Sequence, residues 1–241
     1  MAAISARLRD LLARGRRVAA LTGAGMSAES GVPTFRSAGG FWENESLEDL
    51  ATPRGFARDP RRVWAWYDER RRQISACTPN AGHLALARFG RGRPDFRLIT
   101  QNVDGLHAAA GSAGVIHLHG DLFRVRCTKE GTSREDRRVP LPEIPPRCAC
   151  GAMLRPDVVW FGEVLPEEAM REATEAARRS EVFLSIGTSA VVYPAAALPE
   201  VAKRSGAYLV EINVEETPLS PLADEVILGP AAQVLPDLLG T

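Results

Sequence analysis

The sequence lacks the marks of a membrane or nucleic-acid protein. Its thirty Lys and Arg are cancelled by thirty Asp and Glu, so it has no basic excess with which to answer a phosphate backbone. No apolar run approaches the roughly 18 residues that a membrane span requires. The opening stretch MAAISARLRDLLARGRRV scatters arginines among its apolar residues and has no signal-peptide h-region. These absences predict a soluble, cytoplasmic chain with no direct nucleic-acid or membrane partner. Cysteine is scarce too, with four residues in 241. Cys77 stands alone, whereas Cys127, Cys148 and Cys150 lie within 24 residues of one another. Without an export signal disulfides are not expected, and clustered thiols point instead to a metal.

Hydrophobic residues make up 45% and charged residues 25% of the chain, near the globular average. The length suits one large domain, or one domain carrying a smaller insert. Ile4, Leu8, Leu11 and Leu12 recur at helical spacing, with Gly15 placed to end that helix. RVAALTGAG then reads as a short buried strand running into a glycine turn. Further strands are predicted at 95–100, 115–119, 181–187, 207–213 and 224–229, with helices at 166–180, 194–206 and after Pro230. Short apolar runs alternating with helices indicate an α/β fold, here a six-stranded parallel sheet covered on both faces. Two stretches break the pattern. Residues 32–93 hold one clear helix at 60–74, with Asp59 as N-cap and Pro60 at the first helical position. The stretch at about 122–160 is irregular and bears the cysteines. The sheet domain is therefore assigned to 1–31, 94–121 and 164–241, and a smaller helical and metal-binding module to 32–93 and 122–163.

The first strand ends in Gly23-Ala24-Gly25-Met26-Ser27-Ala28. This fits the dinucleotide fingerprint, whose glycines let a pyrophosphate approach the backbone. The acidic residue that a dehydrogenase carries about 20 residues further on, at the end of a second strand, is missing. A dinucleotide bound here is not bound as in an ordinary dehydrogenase. Gln101, Asn102 and Asp104 follow the strand at 95–100, at a carboxyl end where parallel sheets bind ligands. His119 ends its strand immediately before Gly120, and an imidazole there is a suitable base near neutral pH. His83, His107 and His117 read as structural.

Gly23 to Arg36 reads GAGMSAESGVPTFR and Thr100 to His107 reads TQNVDGLH. These are followed by Leu118-His119-Gly120, Gly187-Thr188-Ser189 and Asn213-Val214-Glu215. In order and spacing these blocks resemble the signature segments of the sirtuins, NAD-dependent protein deacylases, over nearly the whole chain. The resemblance implies a large Rossmann-like domain with a smaller helical and zinc-ribbon-like module. It implies NAD as cosubstrate, acylated-lysine proteins as partners, and His119 as catalytic base with Asn102 and Asp104 orienting the ribose and carboxamide. The acyl oxygen would displace nicotinamide at the ribose, and a ribose hydroxyl deprotonated with help from His119 would then take the acyl group. Residues implied to contact NAD are Gly23, Ala24, Gly25, Ser27, Ala28, Glu29, Thr34, Phe35, Arg36 and Trp42 in the first loop. Gln101, Asn102, Val103 and Asp104 contribute from the second, and Gly187, Thr188, Ser189, Asn213, Val214, Glu215 and Ala231 from the later ones. The chain is expected to act as a monomer. Rival readings are a mono-ADP-ribosyltransferase and a non-catalytic NAD or ADP-ribose sensor.

Cys127, Cys148 and Cys150 fall where the family carries two C-x-x-C pairs for structural zinc. Here Glu130 stands at the second position of the first pair, and the other pair is compressed to C-x-C. Three thiolates with Glu130 or water could hold zinc, and the alternative is a degenerate, empty module. On the helix at 60–74, Val63, Tyr67, Arg70 and Ile74 are spaced to share a buried stripe, which turns Arg70 inward. A buried guanidinium wants an anion. Tyr67-x-x-Arg70 also matches the motif by which one sirtuin class recognises succinyl and malonyl carboxylates, and Ala51 matches a small residue of that class's acyl pocket. Acetyl-lysine is expected to fit as well. By the same resemblance, a substrate backbone adds as a strand beside Val159, Phe161, Gly162 and Glu163.

Overall fold

The computed structural model describes residues 4–33 and 50–240. Six parallel strands form the main sheet: β1 (Val18–Thr22), β2 (Arg97–Thr100), β3 (Ile116–His117), β7 (Val182–Ile186), β8 (Tyr208–Asn213) and β9 (Glu225–Leu228). Their spatial order is β3-β2-β1-β7-β8-β9. Counted along the parallel strands alone this is 3-2-1-4-5-6, the order of a doubly wound dinucleotide fold. All six predicted strands are present, the third cut to two residues.

Burial on both faces explains why these strands read as continuous apolar runs. Ala20, Leu184, Ile186 and Val210 face a layer built from α1 (Ala6–Arg14), α4 (Ala81–Gly90) and α8 (Ala231–Leu239). Ala19, Leu21, Phe183 and Leu209 face the opposite layer, made by α6 (Glu167–Arg179) and α7 (Leu198–Arg204). Helix α4 lies within the first insert and still packs on the sheet. Its start is a capping box in which the Asn80 side chain accepts from His83 N, and His83 Nδ1 accepts from Asn80 N.

The two inserts share a second apolar core. Val63, Trp64, Tyr67 and Ile74 come from α3 (Pro60–Ser75), and Phe56 from α2 (Pro53–Arg58). Phe123, Val125, Leu154 and Trp160 come from the second insert. That insert is not irregular as expected: β4 (Gly120–Cys127), β5 (Ser133–Glu135) and β6 (Leu154–Val158) form a three-stranded antiparallel sheet in the order β5-β4-β6. Helix α3 starts as predicted, with Asp59 accepting from Arg62 N at 2.9 Å.

The inward arginine of α3 needs correction. Arg71 is the fully buried one, and Arg70 is only half-buried. The buried arc also contains Trp64 and Asp68, which swing it toward Arg71 and leave Arg70 at its edge. Arg71 donates to the carbonyl oxygens of Asp136 and Arg138 and lies over the Phe123 ring. Arg70 donates to Gln73 Oε1 at 2.9 Å and lies 5.1 Å over the Trp66 ring.

At the carboxyl edge of the sheet, the turns after β1 and β7 meet backbone to backbone. Gly23 N donates to Ile186 O and Gly25 N to Gly187 O, at 2.9 and 2.8 Å. A Cβ on Gly187 would lie 2.5 Å from Met26 N, and its φ is +58°. Gly187→Ala should therefore destabilise the fold by at least about 2 kcal/mol, from left-handed strain plus the steric contact. In a chain of this size that corresponds to a melting temperature lowered by roughly 4 °C or more, read by calorimetry.

Candidate functional site

The loops following β1, β2, β3, β7 and β8 converge where the strand order reverses between β1 and β7. Ligands of open α/β sheets bind in the crevice at that point. Gly23, Ala24 and Gly25 form its floor. Asn102 follows β2 and donates from Nδ2 to Gly23 O at 2.9 Å and Ser27 Oγ at 3.2 Å. Ser27 in turn donates to Asp104 Oδ2 at 2.7 Å. Gln101 Nε2 donates to Thr188 Oγ1 at 3.0 Å, and Asn213 Nδ2 donates to Thr188 O at 3.0 Å. One hydrogen-bonded lattice thus ties four of the five loops together.

His119 completes it from the bend after β3, a strand that ends at His117 and not, as expected, at His119. Its Nδ1 sits 2.9 Å from Gln101 O, and a carbonyl can only accept, so Nδ1 carries the proton and Nε2 keeps its lone pair. Burial lowers the proton affinity of this ring, with the Gln101 carbonyl opposing the shift. A neutral imidazole held in one tautomer at the edge of a crevice is equipped to accept a proton.

Asp104 is more constrained than its sequence position suggested. Oδ1 accepts from Leu106 N at 2.9 Å, at the start of α5 (Leu106–Ala109), and Oδ2 accepts from Ser27. Burial raises its carboxyl above the ordinary range in spite of these donors. Glu29 accepts from Ala232 N at 2.8 Å, tying the first loop to the α8 terminus that begins at Ala231. Val214 and Glu215 are exposed beyond the end of β8. Thr34, Phe35, Arg36 and Trp42 lie outside the described residues. The polar groups around a floor of small residues fit a dinucleotide. His83 is structural as expected, capping the start of α4. Its ring reaches Ser27 Oγ at 3.4 Å and packs 4.8 Å from the ring of His107, whose Nε2 meets Thr22 Oγ1 at 2.9 Å.

The segment 159–163 runs beside the crevice. Val159 N donates to His119 O, and Phe161 N to Ala51 O, both at 2.9 Å. Phe161 is half-exposed. Glu163 is held by Arg155 through both guanidinium nitrogens, at 2.6 and 2.9 Å, and by Trp160 N at 2.8 Å. Its carboxylate therefore orders the segment. Tyr67 Oη accepts from Trp160 Nε1 at 2.9 Å, which places Tyr67, Ala51 and Trp160 in one cluster with Arg70 a turn further along α3.

A separate group sits in the second insert. One donor atom from each of Cys127, Glu130, Cys148 and Cys150 lies within 4.8 Å of all the others. Three thiols and a carboxylate at this spacing fit a tetrahedral zinc ion.

The Sir2 family model matches residues 23–194. The NAD-dependent protein deacylase of Aquifex aeolicus is 54% identical across 86% of this chain and 87% of its own. The crystal structure of a Sir2 homologue–NAD complex superposes with a TM-score of 0.91 at 46% identity, over 99% of this chain and 93% of that one. A mutant Sir2 homologue bound to 2′-O-acetyl ADP-ribose gives 0.90 at 46% identity, over 98% and 96%.

The buried histidine pair sets an acid limit on stability. Burial pushes His107 down to about 3 and His83 to about 4. The unfolded chain takes up these protons near pH 6.5 and the folded one does not, so stability falls as pH drops below 6.5. Between pH 7.5 and pH 5 each imidazole should remove about 2 kcal/mol, measured by denaturant titration. The raised Asp104 carboxyl offsets part of this fall in wild type and variant alike. His107→Gln should lose roughly half of the histidine contribution.

Proposed function

Since the chain belongs to the Sir2 family, we propose that it is an NAD-dependent protein-lysine deacylase acting on succinyl-, malonyl- and acetyl-lysine. The observation that carries this reading is His119, locked by Gln101 O into the tautomer that leaves Nε2 free to accept a proton. Bound NAD supplies the ADP-ribosyl group that receives the acyl group as nicotinamide departs. His119 takes the proton of a ribose hydroxyl. Asn102, fixed by Gly23 O and Ser27, helps orient the ribose and the nicotinamide carboxamide. Asp104 acts one step back, holding Ser27 and the turn at 105–106. The acylated peptide adds its backbone beside 159–162. Zinc in the cysteine module would contribute folding energy and no reaction chemistry.

The acyl preference rests on Tyr67, Arg70 and Ala51. Ala51 is buried and small, Tyr67 Oη is anchored on Trp160, and Arg70 is half-buried a turn further along the same helix, with its guanidinium on Gln73 and over Trp66. An Arg fork with a tyrosine hydroxyl suits a succinyl or malonyl group. An ADP-ribosyltransferase has no use for such a pair, and a sensor has no use for the base.

His119→Ala should reduce deacylation by roughly 10²- to 10⁴-fold, as expected for a lost general base, while circular dichroism and melting stay near wild type. Near-normal turnover in the folded variant would remove His119 from this role. Arg70→Met keeps the apolar stem and deletes the fork. The kcat/KM on a succinyl peptide should fall by orders of magnitude, and that on the matched acetyl peptide should hold or rise. An equal loss on both would mean that Arg70 serves the helix and not the acyl group.

A further inference from the structure

The family pattern supplies four cysteines, and this chain has three with a carboxylate in the remaining place. We propose that Glu130 is the fourth ligand of the zinc ion held by Cys127, Cys148 and Cys150, making a mixed thiolate–carboxylate centre.

Distances support it. With Zn–S bonds near 2.3 Å, the edge of a ligand tetrahedron is ~3.8 Å. Cys127 Sγ and Cys150 Sγ are 3.5 Å apart, and Cys148 Sγ and Glu130 Oε2 are 3.8 Å apart. These are two opposite edges of one tetrahedron, defined by all four donors.

Both arms are turned to deliver these atoms. On the first, Gly131 N donates to Cys127 O at 3.0 Å, and Glu130 N approaches Cys127 Sγ at 3.4 Å. That turn brings the residue three places after Cys127 back beside its sulfur. On the second, Gly151 N donates to Cys148 O at 2.9 Å with φ +84°, and Cys148 N donates to Ala152 O at 2.8 Å. The tight turn lets a C-x-C spacing present both sulfurs to one point, so the shortened pair is not a broken one.

Charge argues against water as the fourth ligand. A water ligand would leave the Glu130 carboxylate 3.8 Å from the Cys148 sulfur, facing the thiolate shell without bonding the ion itself. Like charges at that distance repel unless a cation bridges them. Coordination removes the conflict and restores four anionic donors. The carboxylate is the harder donor, so the centre should prefer zinc over cadmium more than its Glu130→Cys variant does.

The test uses the full chain, expressed with zinc, beside Glu130→Ala and Glu130→Cys. Zinc per chain is measured by elemental analysis, affinity by competition with a chromogenic chelator, and ligand type by cobalt exchange. The wild type should hold about one zinc and, with cobalt, show a tetrahedral spectrum. Glu130→Ala should bind zinc at least ~10- to 100-fold more weakly, since losing even an outer-shell partner costs that much. Glu130→Cys should restore or exceed wild-type affinity and raise the thiolate-to-cobalt band by about a third. Unchanged affinity in Glu130→Ala, or a wild type purified without zinc, would overturn the assignment. None of these readouts uses deacylation, so their failure is separable from failure of the proposed activity.

Discussion

The contact between the turn after β1 and the turn after β7 is the constraint on which the site depends. Gly23 and Gly25 are usually explained by the approach of a pyrophosphate. Here a Cβ on either would already lie 2.8 Å from the backbone of Gly187 or Thr188, so the protein itself demands the absence of a side chain. Packing the two turns this closely brings Thr188 within reach of both Gln101 and Asn213. Gln101 O then sets the tautomer of His119. The chain of causes runs from a steric requirement at three glycines to the protonation state of the base. A buried hydrogen bond contributes only about 1 kcal/mol net, but leaving such a partner unsatisfied costs more. The lattice therefore specifies one arrangement more than it stabilises the whole.

A second device ties the Tyr67 and Arg70 helix to the cysteine-bearing insert. Along one face of α3, successive turns each present a polar side chain to that insert. Trp64 Nε1 donates to Leu154 O at 2.7 Å, and Tyr67 Oη accepts from Trp160 Nε1. Asp68 Oδ1 accepts from Leu141 N at 2.9 Å, and Arg71 donates to Asp136 O and Arg138 O. Leu141, Asp136 and Arg138 all lie between Cys127 and Cys148. The stretch that grips Asp68 and Arg71 thus begins and ends at thiols of one cluster, while Leu154 and Trp160, beyond it, hold Trp64 and Tyr67.

Much of this was legible in the sequence because a parallel sheet buried on both faces writes itself as apolar runs with glycine turns. The strand ends then located Asn102, Asp104 and His119. What stayed hidden has physical causes. Strand β6 contains Pro156, which argues against a strand, and β5 is exposed throughout. Neither carries the alternation that would have announced the small sheet. The choice of Arg70 over Arg71 turned on a difference of one residue around α3. Trp64 and Asp68 decide it, and Asp68 is satisfied in its buried place by Arg72 and by Leu141 N, which lies far along the chain. The partners of Asp104 and Glu29 were equally invisible, since Leu106 N and Ala232 N are backbone groups and Ser27 lies 77 residues from Asp104 along the chain.

The last step concerns why departures from the family pattern fall where they do. The crevice residues form a lattice in which Ser27 touches both Asn102 and Asp104, so one substitution there would take a hydrogen bond from two polar groups at once. The cysteine cluster obeys a looser rule. A tetrahedral ion asks for four donors at a set distance and accepts them from sulfur or oxygen, and its turns sit on exposed backbone at 128–131 and 149–151. A carboxylate can replace a thiolate, and one residue can drop out of a spacer, with every donor still converging. Geometry tolerant of ligand identity permits drift at the metal, and mutual hydrogen bonding forbids it at the crevice.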